Sequence, residues 1–315
     1  MKIGILTFHS ALNYGAVLQA YASVHFLRSL GHDAYVIDHR NATIQQNYAV
    51  FRWDKDRANK EGVAYWIKFP VGALNRLGRY LAFRRFREKH LPLIPFSKAA
   101  EMDVLFIGSD QVWNKKLTAG ADPVYYGSAF PEVRKIAWAA SVGLSSIEEE
   151  DIRLIERNFS VISVREQALK NLIPGSILLS DPTMMLSADD WKVMVQPVKG
   201  KYILAYPMLH EEEVIEKARY LAEEMHLELR VLSPGIKLGS KWIQKASPDE
   251  FVSLFYNASY VVTSSFHGAV FTLLFKKPHL FIHHDDPRYD TLLETDLSQA
   301  RATAKAFIDN NLKED

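Results

Sequence analysis

The chain of 315 residues contains no cysteine. That excludes disulfide scaffolds, thiolate zinc sites, iron–sulfur clusters and cysteine nucleophiles together. Charge of one sign is missing too: 38 Lys and Arg stand against 37 Asp and Glu, a formal charge of +1. A global electrostatic footprint for nucleic acid is therefore absent, though a local basic patch is not excluded. No stretch approaches the roughly 18 apolar residues of a membrane span. The opening Met1-Lys2-Ile3-Gly4-Ile5-Leu6-Thr7-Phe8 is too short for a signal core and runs into the polar His9-Ser10. A cytoplasmic protein is expected. What the chain has is apolar content: 48% of its residues are hydrophobic, enough for two cores. Its length predicts about two domains.

A short apolar strand, a polar loop and an amphipathic helix recur along the sequence. Lys2–Phe8 reads as a strand and Tyr14–Ser29 as a helix, with Val17, Ala20, Tyr21, Val24 and Leu27 on one side. Strands follow at Ala34–Asp38, Val104–Gly108, Lys135–Ala140, Val161–Val164 and Ile177–Leu179. After a linker-like break at Gln196–Gly200 the pattern restarts at Tyr202–Tyr206, Glu211–Met225 and Glu228–Leu232. It continues with helix Pro248–Asn257, strand Tyr260–Thr263, helix Ala269–Phe275 and strand His279–Ile282. Such alternation predicts α/β architecture: two Rossmann-like domains with parallel sheets facing across a cleft. The expected division is 1–197, 198–296 and a C-terminal helix within 297–315 that packs back on the first domain.

Residues 44–90 break the alternation. Arg76, Arg79, Arg84, Arg85, Arg87 and Lys89 are interleaved there with Leu77, Tyr80, Leu81, Phe83 and Phe86. One reading is a surface helix whose arginine stems cover apolar area. The other is peripheral contact of the basic segment 76–89 with anionic lipid headgroups or with a diphosphate-bearing acceptor.

Ligands of open α/β sheets bind beyond the carboxyl ends of the strands, so those loops hold the candidate residues. After the first strand, Asn13 can cap a helix, and Tyr14-Gly15 lets a ligand approach its N-terminus. The G-x-G-x-x-G dinucleotide spacing is missing. After Val104–Ile107 come Gly108-Ser109-Asp110-Gln111-Val112-Trp113-Asn114. Ser109, Asp110 and Gln111 suit sugar hydroxyls, and Trp113 offers a flat face to a pyranose ring; an Asx cap with a packed tryptophan is the plainer alternative. Arg165-Glu166 opens a helix and suits a phosphate or carboxylate, or forms a surface ion pair. Asp181 in Ser180-Asp181-Pro182-Thr183 organises a turn. In Ser264-Ser265-Phe266-His267-Gly268, His267 sits at a strand-to-helix junction, where an imidazole titrates near neutrality and donates to anions. Without a G-x-S-x-G elbow, neither serine reads as a hydrolase nucleophile. His283-His284-Asp285-Asp286 suggests a metal, but neighbours in an extended chain point to opposite sides, so no metal is expected.

Taken together, Asn13-Tyr14-Gly15-Ala16-Val17-Leu18-Gln19-Ala20-Tyr21, Ile107–Asn114, Ile136–Gly143, Ile162–Glu166, Asp181-Pro182-Thr183 and Tyr260–Gly268 resemble the polysaccharide pyruvyl transferase family. The resemblance implies a GT-B-like fold. It also implies transfer of a pyruvyl group from phosphoenolpyruvate to two hydroxyls of one sugar as a cyclic ketal, in cell-surface or exopolysaccharide biosynthesis. An arginine opening a helix in the first domain and a histidine in the second are associated with the donor, and Arg165 and His267 occupy those positions. Ser265, Gly268 and Arg288 are the further donor-side candidates. Asn13, Tyr14, Gly15, Ser109, Gln111 and Trp113 are the acceptor-side ones. His267 is then the acid or phosphate-side donor and Asp110 the base or acceptor-orienting group. The co-substrate is phosphoenolpyruvate, with no other cofactor. Two alternatives stay open: a nucleotide-sugar-dependent glycosyltransferase on the same fold, and a non-catalytic glycan-binding member of an assembly complex.

Overall fold

The computed structural model describes residues 1–52, 58–60, 62–144, 146–233, 242–283 and 287–312. In chain order the strands are β1 (Lys2–Leu6), β2 (Asp33–Asp38), β3 (Leu93–Pro95), β4 (Val104–Gly108), β5 (Arg134–Ala140) and β6 (Val161–Val164). They continue as β7 (Ile177–Leu178), β8 (Tyr202–Tyr206), β9 (Glu228–Leu232), β10 (Trp242–Ile243), β11 (Tyr260–Thr263) and β12 (His279–Phe281). The helices used below are α1 (Tyr14–Ser29), α2 (Val63–His90), α3 (Glu149–Asn158), α4 (Gln167–Leu172) and α5 (Pro182–Met185). After them come α6 (Glu211–Glu224), α7 (Pro248–Asn257), α8 (Phe266–Leu274), α9 (Pro287–Glu294) and α10 (Leu297–Asn311).

The chain divides into two compact units. One consists of Met1–Ile44, Arg87–Asp190 and His284–Asp315; the other of Gln45–Phe86 and Trp191–His283. This differs from the linear division at residue 197 expected from the sequence. The segment 45–86 groups with the second unit because its helix packs there: Asn75 Nδ2 donates to Gln244 Oε1 at 2.5 Å, and Gly78 lies against the Lys245 side chain.

The first unit holds a seven-stranded sheet in the order β3-β2-β1-β4-β5-β6-β7, and the second a five-stranded sheet in the order β10-β9-β8-β11-β12. Every pairing is parallel. The central strands are uninterrupted apolar runs, Val104-Leu105-Phe106-Ile107 and Tyr202-Ile203-Leu204-Ala205, buried throughout as strands covered on both faces must be. Strand order reverses between β1 and β4 in one sheet and between β8 and β11 in the other. Those reversals are the switch points at which α/β sheets leave a crevice for ligands.

Asn13 caps α1 by accepting from Ala16 N at 3.2 Å, and the helix stops at Gly31, whose φ of +87° suits glycine. The expected stripe of α1 is buried, but so are Leu18, Gln19, Ala22, Ser23 and Phe26, because α5 covers its other side. The last helix, α10, packs back on the first unit as the sequence predicts. Ala300, Ala304, Phe307 and Ile308 are buried, the Phe307 ring lies 5.9 Å from that of Trp138, and Arg301 Nη2 donates to Ser29 Oγ at 3.1 Å.

Two short strands, β3 and β10, escape the sequence pattern, and α8 begins three residues earlier than expected, at Phe266 rather than Ala269. Of the metal-suggestive run, His284, Asp285 and Asp286 lie outside the described residues. Among the described residues no group of three or more His, Cys, Asp or Glu is placed to hold a metal ion.

Candidate functional site

In the first unit the loops after β4, β5, β6 and β7 converge on one guanidinium. Arg165, just past β6, is buried and donates from Nη1 to Asp181 Oδ2. Its Nε is 3.8 Å from Glu166 Oε1, and its Nη2 is 3.9 Å from Asp110 Oδ1. Burial pulls its pKa down, but the Asp181, Glu166 and Asp110 charges outweigh that and raise it.

The partners are fixed in turn. Asp181 caps α5 through Thr183 N at 2.9 Å and accepts from Thr183 Oγ1 at 2.6 Å. Ser141, after β5, donates to Glu166, and Gly143 N donates to Ser141 Oγ at 2.9 Å. Asp110 adopts φ +65° and accepts from Gln111 N at 2.9 Å. One cation thus faces three carboxylates. Arg165, expected to meet a phosphate or carboxylate of the donor, is met here by the protein's own carboxylates.

The β1 loop is tied to this assembly. Thr7 Oγ1 donates to Ser109 O at 3.1 Å, and Gln19 Nε2 donates to Thr7 Oγ1 at 2.6 Å. Gly108 has φ +126°, and a Cβ there would stand 2.3 Å from Trp138 O, so only glycine fits between β4 and β5.

Several sequence-derived assignments change on this evidence. Trp113 does not present its ring to a sugar: it is buried, its Nε1 donates to Tyr125 O at 3.1 Å, and it meets Phe159 edge to face. Ser109 is likewise buried, its Oγ donating to Ala139 O at 3.0 Å. Tyr14 and Gly15 are buried in the first turn of α1. Of the acceptor-side residues, Asn13 and Gln111 keep partial exposure, as does Asp110, and Gln111 Oε1 accepts from Asn114 Nδ2 at 2.8 Å.

Two histidine–carboxylate pairs stand at the same edge of the sheet and were missed. His9 Nε2 lies 3.0 Å from Asp38 Oδ1, at the end of β2, and Arg40 Nε donates to the same oxygen at 2.7 Å. The His9 hydrogen bond, with Arg40 helping, holds the Asp38 carboxyl well below the usual range. The neighbouring His39 Nε2 lies 3.0 Å from Asp122 Oδ2, which also accepts from Asn41 Nδ2 at 2.8 Å. Burial raises the Asp122 pKa, but these hydrogen bonds and that from Val124 N outweigh it and bring it down. His9 and Asp38 each follow or end a strand, so the strand-end rule that selected Asp110 points to them equally.

In the second unit the loop after β11 forms the switch-point turn. Thr263 Oγ1 donates to Tyr206 O at 2.7 Å and accepts from Ser265 N at 3.0 Å. Ser264 Oγ accepts from Met208 N at 3.0 Å and Leu209 N at 3.1 Å, joining the β8 and β11 loops. Ser265 is the N-cap of α8 and accepts from Gly268 N at 3.3 Å. Both serine hydroxyls therefore serve the turn. His267 lies within the first turn of α8, 8% exposed, its ring edge-on to Phe266 at 5.1 Å. Gly268 is pressed to the strand: a Cβ there would be 2.6 Å from Thr263 Oγ1 and 3.0 Å from Tyr206. Arg288, expected in the second domain, is in α9 and belongs to the first unit.

A family model described as polysaccharide pyruvyl transferase matches residues 13–286. No curated protein matches the chain. Among solved structures, the UDP-GlcNAc 2-epimerase of Methanocaldococcus jannaschii, in complex with UDP-GlcNAc and UDP, is 12% identical. It aligns over 97% of this chain and 92% of that one with a TM-score of 0.51. A Listeria monocytogenes structure described under the same enzyme name is 12% identical, with 98% and 88% covered and a TM-score of 0.50. At such identity the likeness shows the fold: two α/β halves of the GT-B kind.

Proposed function

Since this chain belongs to the polysaccharide pyruvyl transferase family, we propose that it transfers a pyruvyl group from phosphoenolpyruvate to two hydroxyls of one sugar, releasing phosphate. One coincidence supports the reading. The motif residues Asn13–Tyr21, Gly108–Asn114 and Tyr260–Gly268 fall on the two strand-order reversals, where this fold binds ligands.

In this reading His267 serves the donor. A proton adds to C3 of the enol, one sugar hydroxyl adds to C2, and the second displaces phosphate through an oxocarbenium-like state. One hydroxyl proton balances the new methyl group and the other leaves with phosphate. His267 delivers a proton to C3 or to the departing phosphate oxygen, and the N–H groups opening α8 favour the anion. Asp110, held by Gln111 N and still partly exposed, orients or deprotonates an acceptor hydroxyl, with Asn13 and Gln111 as the other partly exposed acceptor-side residues. Arg165 acts one step back: it fixes Asp110, Glu166 and Asp181 relative to one another rather than binding the donor directly. The chemistry asks for carboxylate, imidazole and guanidinium, and for no cofactor beyond the phosphoenolpyruvate of the cytoplasm.

The experiment is incubation with phosphoenolpyruvate and a panel of lipid-linked or synthetic galactose, mannose and N-acetylmannosamine acceptors. Phosphate release with a pyruvyl mass increment on one acceptor supports the reading. Protection against heat by a nucleoside diphosphate, with none by phosphoenolpyruvate, favours glycosyl transfer instead. Glycan binding without phosphate release favours a non-catalytic member.

A further inference from the structure

Helix α2 carries an apolar stripe that faces water. Val63, Trp66 and Leu74 are 76%, 52% and 64% exposed, and Pro70, Leu77 and Leu81 are exposed beside them. At 3.6 residues per turn these six positions fall within roughly 80° of one another, along about 27 Å of helix. Val71, also exposed, widens the stripe. The opposite side of the helix is the packed one, where Gly72, Phe83 and Phe86 are buried. The exposed residues are thus not misplaced core, since α2 already has a buried face. Soluble monomers rarely show an exposed apolar patch this extended unless something binds it.

The same exposed face changes character after Leu81. Its next positions are Arg84, Arg85, Glu88 and Lys89, all exposed, three cations against one anion on an unbroken helix. An apolar strip ending in a cationic one, with a tryptophan in the apolar part, matches the layering of an acidic membrane surface: acyl boundary first, anionic headgroups beside it. No described helix is long and apolar enough to cross a membrane, so the apolar part of α2 would enter the interface without spanning it.

We propose that α2 docks the protein on anionic lipid bilayers, with Val63, Trp66, Pro70, Leu74, Leu77 and Leu81 entering the interface and Arg84, Arg85 and Lys89 meeting the headgroups. The apolar strip supplies binding to any bilayer, and the cations supply the preference for anionic ones. This inference stands apart from pyruvyl transfer, since partition onto lipid needs neither donor nor acceptor.

Sedimentation of the full chain with vesicles tests it. Binding is expected on vesicles of equal parts phosphatidylcholine and phosphatidylglycerol, and much less on phosphatidylcholine alone. The double variant Leu74→Glu with Leu77→Glu removes binding to both while melting close to the parent, because both residues are exposed. The triple variant Arg84→Ala, Arg85→Ala and Lys89→Ala loses about fivefold per charge on the anionic vesicles only. With no native cysteine, Leu74→Cys carries a polarity-sensitive dye at one site, whose emission shifts blue on vesicle addition. Equal sedimentation of parent and Leu74→Glu/Leu77→Glu protein overturns the proposal, as does a dye that stays unshifted. A stable dimer in solution that the same double variant converts to monomer overturns it too, by assigning the stripe to a second copy of the chain.

Discussion

Arg165 donates to Asp181 where neither side chain reaches solvent: their exposures are 2% and 0%. Removing one partner of such a pair strands the other charge in a dry interior, at a cost of about 3–5 kcal/mol. Arg165→Met should lower resistance to urea by roughly that amount, and Asp181→Asn by less, because Glu166 and Asp110 still face the guanidinium. The double variant should lose less than the sum, because the pair is broken only once. The measurement requires no substrate. Unchanged unfolding of Arg165→Met, together with a raised KM for phosphoenolpyruvate, would instead make this arginine a direct donor contact.

His267 should behave differently. It is nearly buried within α8's first turn, where glutamine is similar in reach and still polar. His267→Gln is expected to keep the parental melting curve and to release phosphate about 10²–10⁴-fold more slowly. Near-normal turnover in that variant would end its assignment as acid.

The packing of Gly268 links the two properties. Alanine at this position would set a methyl group 2.6 Å from Thr263 Oγ1, the hydroxyl that ties Tyr206 O to Ser265 N. The first turn of α8 must then move off the strand and carry His267 with it. Gly268→Ala should cost about 1–3 kcal/mol and also lower kcat. A variant that is destabilised yet fully active would show that the position of His267 does not matter.

Asp38 predicts an acid dependence. Its carboxyl titrates below its ordinary value because it is hydrogen-bonded to His9 and Arg40. A depressed folded-state pKa adds stability above the unfolded pKa of about 4, and that stability fades as pH falls toward the folded value. Asp38→Asn should therefore be less stable than the parent at neutral pH, with the gap closing as the medium is acidified below about 4. A gap that stays constant across that range, in paired unfolding curves, would place the stabilisation elsewhere.

The strands were legible because local pattern decides them. Val104–Gly108, Val161–Val164 and Tyr260–Thr263 are bounded by glycine, by a charge or by polar residues, and the structure ends them there. Trp113 was misjudged because a tryptophan in a loop sequence carries no sign of which way it points. Its direction is set by Tyr125 and Phe159, twelve and forty-six residues away. Arg165 was recognised as special, but Asp110 and Asp181 come to it from two other strand ends, and only the parallel sheet brings them together. The segment holding α2 reads either as a surface helix or as a basic contact face, and its sequence does not show which of its apolar residues are buried and which exposed. His9 and Asp38 were visible in principle, as two strand ends in adjacent strands.

The way α10 returns to the first unit has a consequence for biosynthesis. Trp138 in β5 meets Phe307, and Ser29 at the end of α1 meets Arg301, so this core is closed by residues made well after its sheet. A ribosome adds roughly 5–20 residues each second. Many seconds therefore separate the synthesis of β5 from the arrival of the helix that covers it, and throughout that interval the first sheet must wait with an open flank. The second unit, whose segments end at His283, has all its parts outside the exit tunnel sooner. Its completion before the first, against the order of the N-termini, is what this chain topology dictates.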